Sequence, residues 1–195
     1  MQIGFIGTGN MGTVLIESFI TGKVMKEHEM MIANRTPEKA KKLLDRYPGI
    51  TFVHDLEKLV SACKLVFFCV KQKDLFIILE NLKPYLKKDH CLIYLASTVS
   101  TEQLEKWHPA SWIRLIPSIT NQALHGAFLL TFGENCHPDW RKTIWNWLET
   151  IGKPIEIDDE RVRIASDIAS CGPAFFSFIL QKFITSAVHK TTIDK

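Results

Sequence analysis

Short apolar runs and amphipathic runs alternate along the first 157 residues of this 195-residue chain. The run LVFFCV at 65–70 is apolar throughout and has polar neighbours, which is typical of a strand covered on both faces. Seven further runs predict strands at 3–6, 30–33, 50–53, 91–95, 112–116, 128–132 and 155–157. Because residues between them recur at helical spacing, the pattern predicts an α/β fold with a doubly wound, mostly parallel sheet.

Capping residues place the helices between these strands. Thr36 as N-cap and Pro37 as first helical residue predict a helix over 37–47. The S-x-x-Q pattern at 100–103 is a capping box that begins another helix, ending near 106. Further helices are predicted up to Gly22, from the cap Asp55 to residue 62, from Asp74 to before Pro84, and over 138–151 before Gly152. From residue 158 the pattern changes, and two helical segments, 159–169 and 173–190, follow without a strand between them.

A glycine-rich turn, GTGNMG, follows the first predicted strand and precedes a helix. In a G-x-G-x-x-G turn the first glycine permits a tight bend, the second lets a pyrophosphate approach the backbone, and the third lets the helix pack closely. The N–H groups at the helix N-terminus then favour the phosphates. We expect all six residues to bind a dinucleotide: Gly7, Thr8, Gly9, Asn10, Met11 and Gly12. Residues 1–158 are therefore predicted to form an NAD(P)-binding Rossmann-type domain, and residues 159–195 the first part of a helical domain.

The residues after the second predicted strand are Asn34, Arg35 and Thr36, with no acid among them. An acid there accepts the ribose 2′-hydroxyl of NAD, whereas an arginine accommodates the 2′-phosphate of NADP. A guanidinium donates paired hydrogen bonds to phosphate, so we expect NADP rather than NAD. The alternative is that Arg35 only solvates the strand end and Thr36 only caps the helix. Ligands of open α/β sheets bind at the carboxyl ends of strands, which adds four cofactor-binding candidates: Val70, Lys71, Ala96 and Ser97.

Composition narrows the class of protein. The chain has 24 Lys and Arg against 21 Asp and Glu, mixed along its length, so we expect a soluble protein with no nucleic-acid or membrane partner. Its longest nearly apolar stretch, 168–180, is shorter than the roughly 20 residues that span a bilayer. Five cysteines without C-x-x-C spacing and seven scattered histidines predict reduced, mostly buried thiols and no metal site. Without a signal-peptide pattern, we expect a cytoplasmic protein.

Six motifs follow one another along the chain: IGFIGTGNMG at 3–12, ANRTPEKA at 33–40, FFCVKQKD at 67–74, RLIPS at 114–118, IGKPIEIDDE at 151–160 and ASCGPAFFSF at 169–178. In this order they resemble the pyrroline-5-carboxylate reductase family, and within it the late-competence-operon branch of Gram-positive bacteria. The resemblance implies a Rossmann domain for NAD(P)H and a helical domain that forms an intertwined dimer and supplies the substrate loop. It also implies reduction of a cyclic imine to proline.

The same resemblance implies a longer family chain, so we expect residues after about 160 to be only the start of the helical domain. Such a part cannot bury its own apolar face. Six side chains are therefore expected to face solvent unless a homodimer or higher homo-oligomer covers them: Phe175, Phe176, Phe178, Ile179, Phe183 and Ile184.

The chain departs from the family pattern in its loops. Gln72 replaces the usual proline after Lys71, and Thr98 replaces the glycine of Ala-Gly-Val. The family motif R-x-M-P-N reads RLIPS here, with Ser118 in place of the asparagine. The substrate loop, usually L-S-G-S-G-P-A, reads IASCGPA at 168–174. The catalytic candidates are Ser118, Ser170 and Cys171, and the substrate-binding candidates are Ser170, Cys171, Gly172 and Pro173. Gly172 and Pro173 are expected to begin a helix whose N-terminus keeps an anion site, and Cys171 is expected to pack in place of a serine rather than to act as a nucleophile.

Three functions remain open as hypotheses. The first is an NADP-dependent reductase acting on a C=N or C=O bond of a small carboxylated substrate. The second is a cofactor-binding regulatory protein that has lost the reaction, in keeping with the altered loop. The third is a relative of the β-hydroxyacid dehydrogenases, which share the glycine turn and the Asn-Arg-Thr feature but need a catalytic lysine, for which Lys182 is a poor match.

Overall fold

The computed structural model describes residues 1–191 and has one eight-stranded sheet at its centre. The strands are β1 Ile3–Ile6, β2 Met30–Ala33, β3 Thr51–Phe52, β4 Leu65–Phe68, β5 Cys91–Tyr94, β6 Ser111–Ile116, β7 Ala127–Phe132 and β8 Lys153–Glu156. They lie in the order β3-β2-β1-β4-β5-β6-β7-β8, and all neighbours pair in parallel except β6 and β7. The predicted doubly wound, mostly parallel sheet is confirmed.

Helices connect the strands and cover the sheet. They are α1 Asn10–Thr21, α2 Pro37–Arg46, α3 Leu56–Ala62, α4 Gln72–Leu82, α5 Thr101–Trp107, α6 Pro138–Ile151, α7 Val162–Ser166 and α8 Gly172–Lys190. The predicted capping box of α5 is present, because Ser100 and Gln103 each accept the other's backbone N–H at 3.2 Å. The predicted start of α4 is wrong: this helix begins at Gln72, so that Asp74 lies in its first turn and Lys71 is the N-cap.

The sheet separates two apolar cores, because successive residues of a strand point to opposite faces. Phe5 and Phe67 lie in one core with residues of α1, α2 and α6, whereas Ile6 and Phe68 lie in the other with residues of α3, α4 and α5. The rings of Phe5 and Phe67 stack with 4.7 Å between their centroids. Strands β1 and β4 are therefore buried on both faces and held side by side.

The winding of the chain reverses between β1 and β4. From β1 the chain continues to β2 and β3 on one side, and from β4 to β5 and β6 on the other. Ligands of doubly wound sheets bind in the crevice at the carboxyl ends of the strands where the order reverses. The glycine turn after β1 and the loop after β4 lie at this crevice.

A buried arginine joins the sheet to the segment that follows it. Arg114 on β6 is 2% exposed, and its guanidinium donates to the Val99 carbonyl oxygen and the Thr131 hydroxyl, each at 3.0 Å. It also pairs with the carboxylate of Asp159, whose second oxygen accepts the Thr101 hydroxyl at 3.3 Å. The linker between β8 and α7 is therefore held to the sheet by an ion pair whose arginine is buried and whose aspartate is 33% exposed.

The two helices predicted after residue 158 form one continuous helical run. Helix α7 passes into a π-helical turn, Asp167–Cys171, and then into α8, and the Gly172 N–H donates to the Asp167 carbonyl oxygen five residues earlier. Pro173 lacks an N–H and its ring crowds the carbonyl group four residues before it, which a locally widened turn accommodates. Helix α8 begins at Gly172 as expected, but it continues directly from the π-helical turn, so the predicted anion site at a free helix N-terminus is wrong. The division of the chain at residue 158 stays a prediction, and residues 192–195 of its second part lie outside the described residues.

The surface of α8 is apolar and exposed. The six side chains expected to face solvent are 44–76% exposed: Phe175, Phe176, Phe178, Ile179, Phe183 and Ile184. The helical run Val162–Lys190 has 29 residues. Its most apolar stretch has a mean hydropathy of 1.3, and 6% of that stretch is buried. Its length and composition suffice to span a bilayer. The expectation that the apolar stretch at 168–180 is too short to do so is therefore wrong, because the helix extends beyond that stretch at both ends. A single helix of this kind is weak grounds for a membrane protein.

Candidate dinucleotide-binding site

The glycine turn is held tightly against the neighbouring strands. Gly7 has a φ of +99°, in the left-handed region that favours glycine, and its N–H donates to the Ala33 carbonyl oxygen at 2.8 Å. A Cβ on Gly7 would lie 2.6 Å from the Cys69 carbonyl oxygen, and a Cβ on Gly12 would lie 2.3 Å from the Gly7 carbonyl oxygen. The fold itself therefore requires the first and the third glycine of the turn.

The second glycine of the turn has no such requirement. A Cβ on Gly9 would meet no atom within 4 Å, and the backbone there is ordinary extended backbone, with φ −74° and ψ −172°. A residue with a Cβ could therefore adopt this conformation without a clash between that Cβ and the chain. The open space above Gly9 is a cradle that a side chain would fill, which fits a pyrophosphate lying on the backbone.

The first turn of α1 faces this open space. Gly9 is the N-cap of α1 and no side chain caps the helix, so the N–H groups of its first residues, among them Asn10 and Met11, are available to an anion. The buried hydroxyl of Thr8 accepts a hydrogen bond from Asn34 Nδ2 at 2.6 Å, which fixes the glycine turn to the end of β2. The Asn34 side chain thus lies directly beside the glycine turn.

Arg35 has a partner that the sequence pattern did not reveal. Its side chain is 84% exposed, and Nη1 lies 3.4 Å from Oδ1 of Asp74, whose side chain is 23% exposed. Thr36 lies at the N-cap of α2 as predicted, but its side chain makes no capping hydrogen bond. The end of β2 therefore offers an exposed guanidinium with one carboxylate beside it.

The loops after β4 and β5 approach each other at the same edge of the sheet. The Thr98 hydroxyl donates to Oε1 of Gln72, so that two of the residues that depart from the family pattern contact each other. The candidates beside them are the half-buried Val70 and Ser97, the exposed Lys71 and the buried Ala96. These four residues stay cofactor-binding predictions, placed at the carboxyl ends of adjacent strands.

The predicted substrate residues lie on the π-helical turn and the start of α8. The Ser170 hydroxyl donates to the Pro117 carbonyl oxygen at 2.8 Å, while Cys171 is exposed and Gly172 is buried. Pro173 is half-buried and Lys182 is exposed, 5.4 Å above the ring of Phe178. The hydroxyl of Ser170 is thus committed to the corner that follows β6.

Ser118, the third catalytic candidate, is fully buried. Its hydroxyl accepts the Thr120 hydroxyl at 3.0 Å and caps the short 3-10 turn Ile119–Ala123. Its N–H donates to Oδ1 of Asn121 at 2.6 Å, which completes a reciprocal cap. A catalytic role for Ser118 stays a prediction, and the geometry shows a structural one.

The cysteines differ sharply in how they meet solvent, and all five are free. Burial raises the pKa of Cys63 and of Cys136 to about 11, that of Cys69 to about 12, and that of Cys91 well above its ordinary value. Only Cys171 is exposed. Among residues 1–191, no group of three or more His, Cys, Asp or Glu side chains is placed to hold a metal ion.

At pH 8 we expect one thiol of the native protein, Cys171, to react rapidly with a disulfide reagent. A thiol reacts as its thiolate, and raised pKa values keep the other four protonated until the pH approaches them. Stopped-flow counting of released chromophore should give one fast equivalent, and Cys171→Ser should remove it. Two or more fast equivalents in the folded protein would contradict the burial of the remaining thiols.

Comparisons with known proteins agree with this geometry. A family model described as "NADP oxidoreductase coenzyme F420-dependent" matches residues 2–98. ComE operon protein 4 of Bacillus subtilis (strain 168) is 49% identical over 195 residues, which are 100% of this chain and 71% of that protein. Pyrroline-5-carboxylate reductase 3 of the same strain is 27% identical over 195 residues, again 100% of this chain and 71% of that protein.

Solved structures share the fold over nearly the whole chain. Plasmodium falciparum pyrroline carboxylate reductase with NADP bound superposes with a TM-score of 0.86 at 21% identity, covering 98% of this chain and 70% of that one. The pyrroline-5-carboxylate reductase of Coxiella burnetii gives 0.83 at 22% identity, covering 99% and 72%. Because these matches extend into the C-terminal helical run, that helix is part of the reductase fold. This chain has the fold of nicotinamide-dependent oxidoreductases and belongs to the pyrroline-5-carboxylate reductase family.

Proposed function

We propose that this protein is an NADP-dependent reductase that transfers hydride from NADPH to the C=N bond of a cyclic imine or a similar small carboxylated substrate. The observation that carries the proposal is the open backbone at Gly9, a glycine that nothing within the chain requires, at the point where the strand order reverses. The relatives named as pyrroline-5-carboxylate reductases, and the solved relative with NADP bound, support the cofactor and the substrate class.

In this function the residues of the chain bind and orient the reactants. The backbone at Gly9 and the free N–H groups of α1 would hold the pyrophosphate, and Asn34 and Arg35 would hold the adenosine ribose with its 2′-phosphate. Backbone groups of the loops after β4 and β5 would flank the other half of the cofactor. When bound, the nicotinamide supplies the hydride, and the protein supplies orientation and electrostatics.

Replacing Arg35 with alanine is expected to weaken NADPH binding about tenfold or more, because a hydrogen bond to a charged group contributes about 1.5–3 kcal/mol. NADH, which has no 2′-phosphate, should bind as before. Fluorescence titration of both cofactors measures the two dissociation constants. Arg161→Ala is a matched control, since Arg161 is 74% exposed and lies 3.5 Å from the carboxylate of Asp158. An unchanged NADPH preference in Arg35→Ala would contradict the assignment of Arg35 to the 2′-phosphate.

The substrate class is tested by following NADPH oxidation with pyrroline-5-carboxylate on the full-length protein. Turnover that depends on both reactants would support the reductase. Tight NADPH binding without turnover would favour the second candidate described next, and absence of NADPH binding would contradict both.

The second candidate is a regulatory protein that binds the cofactor without reducing a substrate. Two observations favour it: the Ser170 hydroxyl is committed to the Pro117 carbonyl oxygen, and the helical run leaves no free N-terminus at Gly172 to receive a carboxylate. The relative at 49% identity carries the name of an operon protein rather than of a reductase.

We also propose that the exposed face of α8 is covered by a second copy of the protein, giving a homodimer or higher homo-oligomer in the cytoplasm. The exposed phenylalanines of α8 support this, since contiguous apolar patches mark interaction sites. Light scattering coupled to size exclusion measures the oligomeric state directly. A protein that stays monomeric at high concentration would contradict the proposal.

A further inference from the structure

The carboxylate of Asp74 lies beside the arginine on which the cofactor preference depends. Arg35 follows β2, whereas Asp74 lies in the first turn of α4, the helix after β4. Since β1 lies between β2 and β4, the 3.4 Å contact between them crosses the carboxyl end of β1, where the glycine turn lies. An acid that is missing from the residues directly after β2 is thus supplied from 39 residues further along the chain.

The side chains of Asp74 and Arg35 differ in how freely they can move. The Asp74 side chain is 23% exposed, and its backbone N–H donates to the Lys71 carbonyl oxygen at 2.9 Å within the first turn of α4. A carboxylate near a helix N-terminus is also stabilised by the helix dipole. The Arg35 side chain, 84% exposed, can change rotamer without losing buried contacts. We therefore expect a ligand that binds Arg35 to move the guanidinium more than the less exposed Asp74 carboxylate.

A 2′-phosphate meets two costs at this position. It carries about 1.5–2 negative charges near neutral pH, so it must share or displace the carboxylate that pairs with Arg35, and it then lies close to a charge of its own sign. A 2′-hydroxyl carries no charge and meets neither cost.

We propose that Asp74 is a second determinant of cofactor choice, acting against Arg35 and narrowing the preference for NADPH over NADH. This inference rests on the proposed binding of NADPH at the glycine turn. It deepens that proposal by assigning opposite roles to the two members of one ion pair.

Asp74→Asn tests the inference because it removes the charge and keeps the shape. We expect NADPH to bind about three- to fivefold more tightly, in line with the strength of exposed ion pairs, and NADH to bind within twofold of the unchanged protein. Asp89→Asn is the matched control. Asp89 lies just before β5 and pairs at 2.8 Å with Lys64, just before β4, so this ion pair lies at the amino ends of the strands, away from the glycine turn. The same change of charge there should leave the ratio of NADPH affinity to NADH affinity unaltered.

Asp74→Asn should raise the affinity for NADPH less in an Arg35→Ala background than in the unaltered protein, because no guanidinium is then left to compete for. Equal or weaker NADPH binding in a folded Asp74→Asn protein would overturn the inference, and weaker binding would show that Asp74 positions Arg35 instead. Asp74→Ser repeats the test if the asparagine variant melts at a lower temperature. Failure of the unaltered protein to bind either cofactor would overturn the proposed function itself, whereas NADPH binding with an unchanged ratio in Asp74→Asn overturns only this inference.

Discussion

Replacing Gly9 with valine is expected to abolish most NADPH binding while the protein stays folded. The valine side chain would enter the open space where the pyrophosphate approaches the backbone, and we expect the dissociation constant to rise about a hundredfold, which is about 3 kcal/mol. We expect the chain itself to tolerate the change, since no atom lies within 4 Å of the new Cβ and the backbone is already extended. Fluorescence titration measures the affinity, and thermal unfolding measures the fold.

Gly12→Ala is expected to have the opposite effect, lowering the stability of the fold. Its Cβ would lie 2.3 Å from the Gly7 carbonyl oxygen, a backbone atom, so the start of α1 must shift away from the glycine turn. We expect a loss of about 1–3 kcal/mol in the free energy of unfolding, as for other overpacked sites. Unaltered NADPH binding by Gly9→Val would contradict the assignment of this turn to a dinucleotide, and so would a drop in stability as large as that of Gly12→Ala.

Replacing Asp159 with alanine is expected to lower the free energy of unfolding by about 3 kcal/mol, at the lower end of what loss of one partner costs a buried ion pair. The cost arises because the Arg114 guanidinium, 2% exposed, would keep its charge without the carboxylate that balances it. The lower end applies because the Asp159 side chain is 33% exposed and water can partly replace it. Urea unfolding at neutral pH measures the difference.

Asp158→Ala is the neighbouring control. Its carboxylate lies 3.5 Å from Arg161 at the surface, with both side chains more than half exposed, so its loss should cost less than about 1 kcal/mol. An Arg114→Met and Asp159→Leu double variant should recover much of the stability lost in Asp159→Ala, because an apolar pair leaves no unpaired charge. Equal losses for Asp158→Ala and Asp159→Ala would show that the buried pair does not hold the linker.

The sheet could be predicted because buried parallel strands carry a local signal. LVFFCV and its counterparts are continuous apolar runs, and a run of this kind between polar residues has few other interpretations in an alternating pattern. The glycine turn was equally readable, since its spacing is local to one strand and the helix after it, although the steric demand on Gly7 comes from Cys69 after β4.

Contacts between distant segments left no such signal. The pairs Arg35 with Asp74 and Gln72 with Thr98 each join a loop to the first turn of α4, and their proximity depends on the order of the strands. Arg114 did offer a clue, because an arginine inside a predicted buried strand needs a partner for its charge. The Gly-Pro pair at 172–173 misled the prediction, since these residues usually mark a boundary, and here a widened turn carries the helix through them.

The π-helical turn Asp167–Cys171 determines the directions around the helix axis in which the side chains of α8 point. Each residue of an α-helix advances the side-chain direction by about 100°, so one residue removed from this turn would rotate the whole of α8 by about that angle relative to the sheet. The direction in which Phe176 and Phe183 point is therefore fixed by the length of the turn rather than by their own identities. Insertions and deletions at 167–171 should accordingly disturb the apolar face more than substitutions there.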